Sequence, residues 1–127
     1  MMGRLIKKLK APKGMPKPND PSKMLSVEWD ESAIHVRVIE GLDSGWNNDI
    51  PWSQITRVCF KDEGIYRSDL LLVWLEGKEN PAPVLAEALG GPALIAQLVA
   101  RDIFPKDIYE KAVTSSDGGL YCWPPLS

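Results

Sequence analysis

The stretch Asp69-Leu70-Leu71-Leu72-Val73-Trp74-Leu75-Glu76 decides the fold. An apolar run this short, held between two acids, suits a strand covered on both faces. One cover can be a helix. The other can be a partner chain or the sheet curling back on itself, which leaves homodimerisation open.

Upstream of that run the pattern is strand-like. Val27 and Trp29 alternate with Ser26, Glu28 and Asp30; Ile34, Val36 and Val38 alternate with His35 and Arg37. Asp30-Glu31-Ser32 lies between them, so the two runs predict a hairpin. Gly41-Leu42-Asp43-Ser44-Gly45 signals a loop. In Asp49–Phe60, Pro51 cannot donate to a ladder, and Ile55, Val58 and Phe60 break strict alternation. Both features predict a bulge or a turn at Ser53-Gln54. Asp62-Glu63-Gly64 ends the run, and Ala82–Ala88 fits either a short strand or a helical turn.

Downstream the period changes. Gly90-Gly91-Pro92 precedes Ala93–Asp102, with Pro92 suited to the first helical position. Leu94 and Leu98, with Ile95 and Val99, make an apolar stripe at helical spacing. A second short helix is expected at Lys106–Val113, burying Ile108 and Ala112, and a final strand at Gly119–Trp123 before Pro124 and Pro125. Strands, then helices, then a strand define an α+β fold. The expectation is a curled antiparallel sheet of about five to seven strands with one or two helices near the C-terminus.

Charge divides the chain. Residues 1–23 carry seven basic residues against Asp20, a net of +6; the other 104 residues carry the remaining eight basic residues against sixteen acids, a net of −8. This predicts a basic, proline-rich flexible leader over 1–23 and a single α+β domain over 24–127. Pro12, Pro16, Pro18 and Pro21 favour extended chain beyond Lys10. Arg4, Lys7, Lys8 and Lys10 are candidates for weak contact with an anionic membrane. The same tail could meet nucleic acid through a sequence-blind term or lie on the protein's own acidic surface, but an acidic body opposes phosphate, and no specific nucleic acid is expected.

At 44% hydrophobic and 25% charged, the composition is that of an ordinary soluble domain. No apolar stretch approaches the ~20 residues of a membrane span, and no signal-peptide core is visible, so the expected compartment is cytoplasmic. Cys59 and Cys122 are accordingly read as small buried side chains rather than as a disulfide.

The segments Asp49–Val58, Asp69–Leu75 and Leu120-Tyr121-Cys122-Trp123 form a layout that resembles small uncharacterised bacterial proteins with a pleckstrin-homology-like curled sheet. Some of that group look like immunity proteins of toxin systems. The resemblance covers residues 25–123 and implies a packing scaffold without catalytic residues. Lipid head-group binding does not follow from it, because the first hairpin loop is acidic.

Chemical motifs are scarce. His35, the single histidine, has no serine or cysteine at a catalytic spacing; there is no Gly-x-Ser-x-Gly elbow and no phosphate loop ending in Gly-Lys-Ser/Thr. No metal or cofactor is expected. Acid pairs at Asp30-Glu31 and Asp62-Glu63 sit in expected turns, where acids are solvated. Of five tryptophans most should be core. Trp46, between Gly45 and Asn47-Asn48, either folds back onto the sheet or makes a contact.

The reading is a non-enzymatic interaction module for an unknown protein partner, with an immunity-like role as its most specific form. Trp46, Asn47, Asn48, Asp62 and Glu63 are the candidate contacts. The alternative is a peripheral membrane module that uses the basic tail.

Overall fold

The computed structural model describes residues 20–62, 69–114 and 118–126. Asp20 caps a single turn, α1 (Pro21–Met24), its side chain accepting from the Ser22 N–H at 3.1 Å. Pro21 is buried, so the expected junction at 23/24 falls inside an element that already belongs to the domain.

Among the described residues seven strands form two antiparallel sheets. The first holds β1 (Leu25–Trp29), β2 (Ala33–Val38) and β3 (Asn48–Pro51) in that order. The second holds β4 (Ile55–Asp62), β5 (Leu70–Leu75), β6 (Ala82–Leu85) and β7 (Gly119–Trp123), ordered β6-β5-β4-β7. The hairpin falls where the alternation places it, with Val27 opposite Val36 and Trp29 opposite Ile34. Pro51 ends β3, a 3-10 turn at Trp52–Gln54 follows, and the ladder of β4 slips between Ile55 and Arg57. Ala82–Leu85 resolves as strand.

Two helices, α2 (Gly91–Ala100) and α3 (Lys106–Thr114), lie between β6 and β7. Leu94, Ile95 and Leu98 of α2 enter one core with Leu25, Ile34, Val36 and Ile50 of the first sheet and Val58, Phe60, Leu71 and Val73 of the second. Each large aliphatic side chain so buried stabilises by about 1.5–3 kcal/mol. Phe104, 1% exposed, plugs the core beyond α2. Tyr109 of α3 meets Phe60 edge-on at 6.2 Å, and Ala112 is buried, which places α3 on the core side of β4 and β7.

The tryptophans depart from expectation, since none of the five is fully buried. Trp29, Trp46 and Trp52 pack on the margin of the core, while Trp74 lies outside it and Trp123 is 41% exposed. The core is aliphatic, with Phe60 and Phe104 its aromatic members.

One seam joins the sheets. Leu89 runs beside β1, donating to the Leu25 carbonyl at 2.9 Å and accepting from the Val27 N–H at 2.7 Å. Gly90 follows with φ +87°, and a Cβ there would stand 2.2 Å from the Val27 carbonyl oxygen. Only glycine permits both the left-handed backbone and this approach. Among the described residues no helix is long and apolar enough to cross a membrane.

Candidate functional site

Among the described residues, those named from sequence are divided between the two sheets. Trp46 ends a 3-10 turn, Ser44–Trp46, that Asp43 caps through the Gly45 N–H at 2.8 Å. Its side chain is half-buried and packs against the margin of the core. Asn47 accepts from the Val38 N–H at 2.9 Å and donates to the Ser44 carbonyl at 3.2 Å; it holds the loop to β2. Asn48 pairs with Val36 inside the first sheet.

Asp62 lies in the other sheet. It is the last residue of β4, opposite Gly119, and only 7% exposed. The expectation of a solvated turn acid is therefore corrected: the β4–β7 ladder extends through position 62. Glu63 and the tail residues Arg4, Lys7, Lys8 and Lys10 lie outside the described residues.

The structure assembles a polar cluster on the first sheet instead. His35 sits mid-β2, directly opposite Asp49 of β3. Its Nδ1 is 2.8 Å from Asp49 Oδ1, and its Nε2 is 2.9 Å from Asp30 Oδ2. Arg37 donates from Nη2 to the same Asp49 oxygen at 2.8 Å and from Nη1 to the Asn48 carbonyl at 3.0 Å. Asp30 Oδ1 accepts from the N–H groups of Ser32 and Ala33, which fixes the hairpin turn.

Two carboxylates, which only accept, flank a ring that has two donors only when protonated. The hydrogen bond to Asp49, then that to Asp30, raises the His35 pKa above the usual imidazole value. His35, then Arg37, lowers that of Asp49; His35 and the Ser32 and Ala33 amides hold Asp30 far below the usual carboxylate range. An imidazolium donating from both nitrogens has no lone pair for base catalysis. Ser32 Oγ donates to Asp30 Oδ1 at 2.9 Å rather than to the ring. The cluster is a clamp across turn, β2 and β3.

The sheet corner is tied from α2. Trp52 Nε1 donates to the Asp30 carbonyl at 2.9 Å, and the Arg101 guanidinium lies 3.9 Å over the Trp52 ring.

The second sheet presents a different surface. Cys59 and Cys122 are bonded, contrary to the reduced state expected from sequence. The reason is register: they are direct cross-strand partners, with Cα atoms 4.0 Å apart. Arg57 runs alongside, donating to the carbonyls of Pro124 at 2.8 Å and Pro125 at 3.2 Å. β5 alternates as a half-covered strand: Leu71, Val73 and Leu75 are buried, while Leu70, Leu72 and Trp74 lie half-buried outside the core. The expected second cover is thus not part of the core cluster.

β7 ends the order of the second sheet, so its far edge is open among the described residues. Among the described residues, four of the six exposed large apolar side chains belong to the last fifteen positions: Val113, Leu120, Trp123 and Leu126. That concentration marks β7 and its flanks as the apolar surface of the domain. The composition of β7 could have pointed here, since its five residues contain no acid or base.

No family model matches the chain, and neither curated proteins nor solved structures yield a match.

Proposed function

We propose that this domain acts by binding another polypeptide, without catalysis, and that the open edge of β7 is its recognition element. One observation carries the reading: exposed Leu120 and Trp123 lie on a strand whose outer edge pairs with nothing described, and exposed Val113 and Leu126 flank it. Edge strands are ordinarily blunted by lysine, proline or a bulge. Gly119–Trp123 has none of these within it, and such an edge accepts an added strand through main-chain hydrogen bonds.

A pleckstrin-homology-like scaffold fits two antiparallel sheets around one core closed by helices. An immunity-like role extends the reading, because residues 24–127 carry a net −8 that would steer a basic partner. The bonded Cys59–Cys122 pair supports an oxidising milieu rather than the cytoplasm.

The +6 charge of residues 1–23 favours a second reading, contact with anionic lipid through Arg4, Lys7, Lys8 and Lys10. Loss of anionic-vesicle binding on removal of residues 1–23 would support it.

The test of the edge is affinity capture from the host with wild type, Leu120→Lys and an Ile39→Lys control just past β2 of the other sheet. A protein held by wild type and the control but lost from Leu120→Lys is the expected result. Capture indifferent to Leu120 would sink the edge reading.

A further inference from the structure

We propose that the edge of β7 pairs with the same edge of a second copy, joining two four-stranded sheets into one across a two-fold axis at Tyr121. The proposal rests on the edge-binding reading and names its occupant.

Backbone geometry sets the register. In antiparallel ladders, closely spaced pairs (Cα–Cα about 4.5 Å) exchange no hydrogen bonds, whereas wider pairs near 5.5 Å do. Cys59 and Cys122, at 4.0 Å, are of the close kind. The N–H and C=O of Cys122 therefore point away from β4, and so do those of Leu120 two residues earlier, opposite Lys61. These groups form the donor and acceptor row of the open edge.

A two-fold axis through Tyr121 sets Leu120 against the second copy's Cys122, and Cys122 against its Leu120. Each pair then exchanges both N–H···O bonds. The neighbouring registers use the row less well. Centring on Leu120 sets Cys122 against Gly118, which has φ +79° and lies outside the strand. Centring on Cys122 sets Leu120 against Pro124, which has no N–H. The Tyr121 register also places exposed Leu120 beside the partner's disulfide on the same face. Tyr121 itself lies back over Gly119, where a Cβ would meet its ring at 3.2 Å, so the ring runs along its own strand.

Charge permits a second copy here and nowhere so freely as here. Two bodies of net −8 repel over most of their surface, but residues 118–126 contain no acid or base. The nearest cations, Arg57 and Lys61 on β4, would be three strand spacings from their counterparts, roughly 14 Å. That exceeds a Debye length of about 8 Å at physiological salt. The disulfide and the Arg57 bonds to Pro124 and Pro125 hold the edge extended before pairing, which lowers the ordering cost of association.

The experiment is sedimentation equilibrium of the full chain beside Leu120→Lys, Leu120→Pro and Ile39→Lys, with circular dichroism to confirm folding. Leu120→Pro deletes one outward N–H, a change an edge strand tolerates in the monomer. The expected result is a wild-type and Ile39→Lys dimer, with dimerisation weakened at least about tenfold in both Leu120 variants. A wild type that stays monomeric up to millimolar concentration overturns self-pairing. If a foreign protein captured by that monomer still requires Leu120, the edge reading survives alone. A wild-type dimer indifferent to Leu120 overturns self-pairing at this edge, and capture of a foreign protein that is also indifferent to Leu120 overturns the edge reading with it.

Discussion

Cys59 and Cys122 face one another across β4 and β7 and are joined through sulfur, 63 residues apart in sequence. The link ties the last strand, which enters the sheet only after both helices, to a central one.

Cross-linking a loop of this length removes denatured-state freedom worth about 4 kcal/mol in the chain-entropy account. Reduction, or the paired change Cys59→Ala with Cys122→Ala, is expected to lower unfolding free energy by that order. Urea titration with and without reductant measures it. An unchanged midpoint, or full thiol labelling of the unreduced native protein, would contradict the bond.

The His35 clamp makes stability depend on pH in two directions. His35 has a raised folded pKa, so its contribution is complete below the usual imidazole value and fades as pH rises through the folded pKa. Asp30 and Asp49 have lowered folded pKa values. Their contribution is complete above the usual carboxylate value and fades as pH falls through the folded ones. Stability from the cluster therefore peaks between these limits, and its amplitude is small because the groups are exposed. Proton NMR of the single imidazole should give a midpoint above 6.5 in wild type, moving down in Asp49→Asn. A wild-type midpoint at or below 6.5 would remove the clamp.

Two glycines separate backbone strain from steric clash. Gly77 and Gly90 both have positive φ, at +81° and +87°. A Cβ on Gly77 meets nothing within 4 Å, whereas one on Gly90 would overlap the Val27 carbonyl. Gly77→Ala should cost about 1 kcal/mol, the left-handed penalty alone. Gly90→Ala should cost more than about 3 kcal/mol, because the Leu89 seam must open. Thermal unfolding of the two variants side by side is the measurement; equal losses would mean that the seam yields.

What was legible in the chain was what local pattern encodes. Alternation around Asp30-Glu31-Ser32 placed the first hairpin, and the change from period two to helical spacing after Gly90-Gly91-Pro92 placed α2. Gly119 and Pro124 bracketed β7. What was hidden depends on register between distant strands. His35 reads as a lone surface histidine until β3 is paired beside it and brings Asp49 opposite. Cys59 and Cys122 read as unrelated thiols until β7 is known to lie on β4. Asp62 belongs to an acidic turn signature, but the ladder runs through it, opposite a glycine. Trp46 could be weighed from sequence but not placed, because its packing against the core margin depends on the fold around the 3-10 turn.

The Leu89 seam also has a kinetic meaning. The first hairpin closes between Trp29 and Ile34, while its outer strand is sealed only when Leu89 arrives beside Ser26, 63 positions along the chain. Closing that longer loop costs about 2 kcal/mol more entropy than closing the hairpin. During refolding the hairpin therefore stands for a time with its Leu25–Val27 side unsealed, an invitation to strands from neighbouring molecules. The yield of native protein should fall as concentration rises during that interval, and dilution should restore it.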